Sequence, residues 1–328
     1  MNLEAWMRAA GLVRSDALVL LRELAGVSHA AMLAHPELPL DAGTHTRLDA
    51  AAQRLRAGEP LAYVLGWREF YGLRFSVSPA VLVPRPETEL LVDFALAHLP
   101  LDERAKVLDL GTGSGAIAIA VAHARPQAEV WALDASADAL SVAAGNARAL
   151  LAPERPGGAM RLVQGDWFDA MAAAPGNDSG QTLPTAPLVP HQAGRPGPAA
   201  SCQSTHALRF NLILSNPPYV AAGDAHLSAL VHEPQLALVG RASGDGLADI
   251  RRIIAAAPAH LAAGGWLALE HGYDQAEAVQ DLLRVAGLVQ IDTQADLAGI
   301  ARMTIGQRPA GDRCGAPRHA PPHRAERP

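Results

Sequence analysis

The chain has 328 residues, 49% hydrophobic and 18% charged, enough apolar material for one large domain or two ordinary ones and too much for a disordered chain. Its 27 Lys and Arg against 33 Asp and Glu leave a net charge of −6, which argues against a protein that lives on bulk nucleic-acid charge. Cys202 and Cys314 have no CxxC spacing and sit in Pro-rich stretches, so neither a disulfide framework nor a metal site is expected.

Residues 1–6 carry Glu4 and no basic stretch followed by an apolar run, so no secretory signal is read there. No apolar run reaches the roughly 18–20 residues that span a bilayer. A cytoplasmic protein without membrane contact is the expectation. Residues 1–66 read as short helices. Ser15 looks like an N-cap opening a helix that closes near Gly26, and a second helix over 47–57 stops at Gly58-Glu59-Pro60. Such a unit either docks a partner or caps the next domain. Aromatic and β-branched residues around Gly72 predict a hairpin over 68–83, the core of a connector spanning 67–84. Pro84-Arg85-Pro86-Glu87 then leads stiffly into a helix to His98, with Glu87 and Glu89 complementing its dipole. Bracing of this connector is the first reading of Arg85 and Glu87.

From Lys106, the chain's only lysine, strand and helix alternate, the mark of a parallel α/β sheet. Strands are expected at 106–110, 129–133, 160–164, 210–215, 265–270, 288–293 and 301–306, with helices over 116–124, 137–151, 247–261 and 275–286. Residues 173–207, with six Pro and four Gly, read as a disordered insertion. The Arg- and Pro-rich tail, 309–328, reads the same way, and its arginines as a solvated end.

Two loops carry the chemistry. Asp109-Leu-Gly-Thr-Gly-Ser-Gly joins a strand to a helix, and Gly111, Gly113 and Gly115 let the backbone turn sharply against a ligand whose neighbours include Thr112 and Ser114. A tight structural turn would also favour glycine. Asp134, 23 residues beyond Gly111 at the end of the next strand, is placed to accept both hydroxyls of a ribose. Asp109, just before the glycines, suits a cation and not a pyrophosphate. Adenosylmethionine, with ribose, ammonium and sulfonium but no phosphate, therefore fits better than a dinucleotide. Asp166 could accept from an adenine amino group and Trp167 flank its ring; ordinary core packing explains Trp167 equally well.

Asn216-Pro217-Pro218-Tyr219 follows the apolar strand 210–215. The two prolines stiffen the turn and remove two backbone donors, so their carbonyls project as acceptors. Asn216 adds a side-chain oxygen and Tyr219 an aromatic wall. This acceptor-rich slot suits a planar NH2 group, whether an amide or a base amine. Acceptors on Asn216 and the Pro217 carbonyl would orient a sluggish amide nitrogen toward the methyl group and stabilise the charge that develops on it. No HExxH, GxSxG or Cys/His pairing supports a hydrolase.

In order along the chain, Phe70-Tyr-Gly, Pro84-Arg-Pro-Glu-Thr-Glu, Asp109-Leu-Gly-Thr-Gly-Ser-Gly, Asp134, Gly165-Asp-Trp-Phe, Asn216-Pro-Pro-Tyr and Leu269-Glu-His-Gly resemble the HemK/PrmC family. These methyltransferases modify the glutamine of the Gly-Gly-Gln motif in class I peptide chain release factors. The resemblance runs to about Arg308. It implies an α/β class I adenosylmethionine-dependent methyltransferase (Rossmann-like) with a seven-stranded sheet over 85–308 and a small N-terminal helical domain that helps grip the release factor. It puts cofactor contacts on Gly111 to Gly115, Asp134, Trp167 and Asn216, and the glutamine slot on Asn216, Pro217, Pro218 and Tyr219. The insertion at 173–207 departs from the family. A relative that methylates glutamine of a ribosomal protein would share the slot. A methyltransferase for adenine in nucleic acid would want a basic surface, and a nicotinamide oxidoreductase leaves the tetrapeptide unexplained.

Overall fold

The computed structural model describes residues 1–172, 208–240 and 244–310. The expected insertion at 173–207 and the tail beyond Ala310 lie outside the described residues. Five helices open the chain: α1 (Leu3–Ala9), α2 (Arg14–Ala25), α3 (His29–Ala34), α4 (Ala42–Arg56) and α5 (Leu61–Leu65). Gly26 ends α2 with φ +67, as expected, but the residue before its first turn is Val13, which makes no side-chain cap. Ser15 lies inside the helix and does not cap it. Asp41 caps α4 by accepting from the Thr44 N–H at 2.9 Å, so that helix starts a turn earlier than its apolar spacing suggested. Trp6, Leu20, Leu21 and Leu48 form the core of this unit, and the Trp6 indole donates to Asp49 Oδ1 at 2.9 Å.

The hairpin is shorter than its sequence suggested. Strands β1 (Trp67–Phe70) and β2 (Leu73–Ser76) pair antiparallel, with Tyr71 and Gly72 both at positive φ in the turn. Residues 77–85 form no strand. Instead Val77, Val81 and Val83 pack with Tyr63 and Ala139, tying the N-terminal helices to the rest of the molecule. A short 3-10 turn, Pro86–Thr88, then leads into α6 (Glu89–His98).

The remaining elements are β3 (Lys106–Leu110), α7 (Ala116–Ala124), β4 (Glu129–Asp134), α8 (Ala137–Leu150), β5 (Arg161–Gln164), α9 (Asp169–Ala172), β6 (Phe210–Ser215), α10 (Gln235–Leu238), α11 (Ala248–His260), β7 (Leu261–Glu270), α12 (Ala276–Val285), β8 (Val289–Ala295) and β9 (Ala301–Gln307). They form one seven-stranded sheet in the order β5-β4-β3-β6-β7-β9-β8. β3 to β7 are parallel, and β9 runs antiparallel between β7 and β8. β7 begins at Leu261, four residues before the Gly265 start that was expected, with Gly264 inside the strand. A Cβ on Gly265 would lie 2.9 Å from the Phe210 carbonyl oxygen, so glycine lets β6 and β7 approach.

Apolar side chains of α6 and α7 cover one face of the sheet, and those of α11 and α12 the other. The order reverses beside β3, because the chain runs outward through β4 and β5 and then returns to β6 on the opposite side. Loops leaving the carboxyl ends of β3 and β6 therefore diverge and open a crevice.

Candidate active site

That crevice is a cleft of about 1150 Å³, its open mouth included. The glycine loop forms its floor. The N–H groups of Gly111 and Thr112 both donate to the Leu133 carbonyl, at 2.8 and 2.9 Å, pinning the loop to the end of β4. Gly113 has φ +55, and no atom lies within 4 Å of where its Cβ would stand. The loop thus leaves bare backbone facing space. Ser114 is buried and its carbonyl accepts from the Asn146 amide, while Gly115 is the N-cap of α7.

Asp134 borders the cleft at the end of β4. Its two oxygens accept from the N–H groups of Gly113 (2.9 Å) and Ser136 (2.8 Å). Burial raises its pKa, and these backbone hydrogen bonds oppose the rise. Asp109 lies wholly buried behind the loop. Its Oδ2 accepts from Thr112 Oγ1 at 2.6 Å and the Ala118 N–H at 3.2 Å, while Oδ1 has no partner. Burial pushes its pKa up to about 7.

Trp167 adopts φ +48, a strained value for a bulky residue. Its indole N–H donates to Asp249 Oδ1 at 2.8 Å, and its ring edge lies 3.4 Å from where a Gly111 Cβ would stand. The ring borders the cleft and also packs on the core below α11. Asp166 also borders the cleft and is engaged by the Arg252 guanidinium at 3.2 and 3.3 Å.

The tetrapeptide leaves β6 at a pinned point, where Ser215 Oγ donates to the Leu110 carbonyl at 2.7 Å. Asn216 and Pro218 border the same cleft as Gly113 and Asp134. Pro217 is buried beside them. Tyr219 packs on the sheet's second core, and its hydroxyl donates to Glu270 Oε1 at 3.2 Å. Among the described residues, neither Pro217 nor Tyr219 is part of the cleft wall. Burial beside Glu270 holds the Tyr219 phenol above its ordinary pKa.

Two partners of this turn escaped the reading of the tetrapeptide. Asn216 Nδ2 donates to Thr88 Oγ1 at 3.0 Å, and Thr88 donates to Glu270 Oε2 at 2.7 Å. Burial drives the Glu270 pKa up to about 7, with the Thr88 and Tyr219 hydrogen bonds pulling the other way. Thr88 lies in the Pro84–Glu89 motif and Glu270 in the Leu269–Gly272 motif, but neither motif gave them a role. The connector forms the opposite wall: residues 80–82, Pro84, Arg85 and Thr88 all border the cleft. Arg85 pairs with Glu233 at 2.5 Å, and Glu233 also accepts from the Val83 N–H at 3.0 Å. Arg85 thus braces the connector, as expected, against the loop that follows the tetrapeptide.

These residues fit adenosylmethionine. Asp134 borders the cleft with lone pairs that ribose hydroxyls can use, and Gly113 leaves room for backbone contact, whereas Asp109 is wholly buried and does not line the cleft, so it is not placed for the expected direct contact with an ammonium group. A pyrophosphate would instead face the carboxylates of Asp134, Asp166 and Asp249, which border the cleft. Among the described residues no His, Cys, Asp and Glu cluster could hold a metal ion.

Residues 5–66 match the PrmC N-terminal domain model and residues 88–174 the methyltransferase small domain model. The chain is 44% identical over 305 residues to a release factor glutamine methyltransferase of Burkholderia pseudomallei, covering 92% of this chain and 95% of that one. A protein with the same description from Bordetella pertussis is 43% identical, covering 90% and 95%. Among solved structures, the catalytic domain of hMettl16 in complex with an RNA hairpin has a TM-score of 0.52 at 11% identity, covering 94% of this chain and 92% of that one. That likeness is one of fold.

Proposed function

The chain belongs to the release factor glutamine methyltransferase family, and we propose that the notch holding Asn216 is where it alkylates its substrate. The enzyme transfers a methyl group from S-adenosyl-L-methionine to the side-chain amide nitrogen of a glutamine. Its substrates are class I peptide chain release factors, at the glutamine of their Gly-Gly-Gln motif, and the modification supports translation termination. One observation carries the assignment of the site: Asn216, from the end of β6, borders the same cleft as Gly113 and Asp134. An amide bound at Asn216 therefore meets a cofactor bound on the glycine loop.

Adenosylmethionine supplies an electrophilic methyl group on a positively charged sulfur. Asp134 would hold the ribose and Trp167 and Asp166 would flank the adenine, while Asp109, buried behind the glycine loop, would act on the ammonium end only through the loop it anchors. Asn216 Oδ1 and the Pro217 carbonyl accept from the two N–H bonds of the substrate amide. That fixes the nitrogen for in-line attack and opposes delocalisation of its lone pair. Positive charge developing on the amide nitrogen during transfer would lie beside those same dipoles, which would stabilise it. The surplus proton then leaves to water, so no strong base is required.

The N-terminal helices and connector form the surface on which the release factor docks, and no nucleic-acid contact is required. Among the described residues no helix is long and apolar enough to cross a membrane, and a cytoplasmic location suits this substrate. Tritiated methyl transfer into purified release factor, with ribosomal protein and DNA as parallel acceptors, tests the assignment. Label is expected in the release factor; label only in another acceptor refutes the substrate.

A further inference from the structure

A primary carboxamide has almost the same shape when turned half a revolution about its last bond, yet the turn exchanges an acceptor for a donor pair. Only the oxygen of Asn216 can receive an N–H from a substrate glutamine. Some neighbour must therefore choose the sense of the amide. We propose that Glu270 and Thr88 are positioning residues that hold Asn216 with its N–H toward Thr88 and its oxygen toward the substrate. The inference rests on the role given to Asn216 above.

The choice follows from counting hydrogens. Thr88 Oγ1 lies 2.7 Å from Glu270 Oε2 and 3.0 Å from Asn216 Nδ2. A hydroxyl owns one hydrogen, and an ionised carboxylate has none to offer. Thr88 therefore gives its hydrogen to Glu270 and turns a lone pair toward Asn216, which must answer with an N–H. Tyr219 gives its hydrogen to the other oxygen of Glu270, at 3.2 Å, so the carboxylate accepts on both sides. Turning Asn216 over would set two oxygens face to face with no hydrogen between them. Thr88 and Glu270 are 5% and 2% exposed, so solvent screens that repulsion weakly.

Protonation of Glu270 would release the choice, because a carboxylic acid can donate to Thr88 and free its hydroxyl to turn. The groups facing Glu270 are Glu87 from the connector turn, which raises its pKa, Arg302 from β9, which lowers it, and the Thr88 and Tyr219 hydroxyls. His271, the next residue in the chain, is held by Thr304 at 2.7 Å through Nε2 and contacts the Gly272 carbonyl through Nδ1. Turnover should rise as pH climbs through about 7 in the wild type and stay level across that range in Glu270→Gln.

The test compares wild type, Thr88→Val, Thr88→Ser and Glu270→Gln on purified release factor, with adenosylmethionine affinity measured separately by calorimetry. Thr88→Val keeps the shape and removes the hydroxyl. It should lower kcat about tenfold or more, as expected for one misdirected transition-state dipole, with cofactor affinity within about twofold. Thr88→Ser should restore kcat to within about threefold. A glutamine peptide should bind more weakly to Thr88→Val than to wild type, both loaded with S-adenosylhomocysteine. Wild-type kcat and peptide affinity in Thr88→Val, or a serine variant as impaired as the valine one, would overturn the relay. A wild-type enzyme that labels no release factor counts instead against the functional reading, and the peptide comparison, made without turnover, still decides the relay.

Discussion

Adding one methyl group at Gly115 or at Gly113 should have opposite consequences, although both residues sit in one loop at positive φ. Gly115 has φ +83, and an added Cβ would lie 2.7 Å from Ile119 Cδ1 and 3.3 Å from Ala143 Cβ. Ile119 and Ala143 are both 0% exposed, so neither can yield into solvent. Left-handed backbone costs a non-glycine residue about 1–2 kcal/mol, and forcing a methyl into a packed core about 1–3 kcal/mol. Gly115→Ala should thus lose about 2–5 kcal/mol, and with about 2–4 °C per kcal/mol for a domain of this size, melt about 7–14 °C lower at the middle of that range. Gly113→Ala meets nothing within 4 Å and bears only the backbone cost of about 1–2 kcal/mol. Its methyl enters the cleft, so adenosylmethionine affinity should fall about tenfold or more, a displacement of about 1.4 kcal/mol. Differential scanning calorimetry and titration calorimetry on both variants decide the matter. Equal melting points, or unchanged cofactor affinity in Gly113→Ala, would refute the assignment of one glycine to packing and the other to the ligand.

Asn216→Ala should cut kcat about a hundredfold or more while the melting curve stays close to wild type; retention of most turnover removes Asn216 from the mechanism. Glu233→Ala strips the partner from the Val83 N–H and from Arg85, and chemical denaturation should show a loss of about 2–3 kcal/mol, kept modest because Arg85 reaches solvent. Burial raises the pKa of Asp109 from 3.8 to about 7, so the folded chain holds a proton that the unfolded chain has released. Its contribution to stability is therefore full below the lower value and lost as pH rises to the upper one. Denaturation midpoints at pH 5 and 8 should fall less in Asp109→Asn than in wild type; equal falls contradict this. Deleting residues 175–205 should leave turnover within about threefold, since loop length costs little. Lost activity in a still-folded variant would show that the segment takes part.

The strands of the sheet and the loops that end them were legible because each rests on local pattern. Lys106–Leu110 and Phe210–Ser215 are buried apolar runs with clear boundaries, and the strand-loop-helix around Gly111 needs only neighbours in sequence. Local pattern failed where two chemistries share a signal. The strand at Gly265 was expected but its first four residues, Leu261 to Gly264, were not, because a Gly-Gly pair there has the composition of a turn while Gly265 lets β6 approach closely. Val77 to Val83 has β-branched residues like a strand, yet finds its partners in Tyr63 and Ala139 and walls the cleft. Thr88 and Glu270 were not legible as a pair. They are 182 residues apart, and only the stacking of α6 against β7 brings them to 2.7 Å. Arg85 and Glu233 meet in the same way across 148 residues.

In the proposed geometry the turn at Asn216 delivers a substrate amide to the methyl donor. A crystal structure with S-adenosylhomocysteine and a glutamine peptide measures it directly. Asn216 Oδ1 is expected about 3 Å from the glutamine side-chain nitrogen, with that nitrogen on the line to the sulfur and close enough for a methyl group to pass between them. A cofactor on the glycine loop whose sulfur points away from Asn216, or a glutamine bound elsewhere, would contradict it.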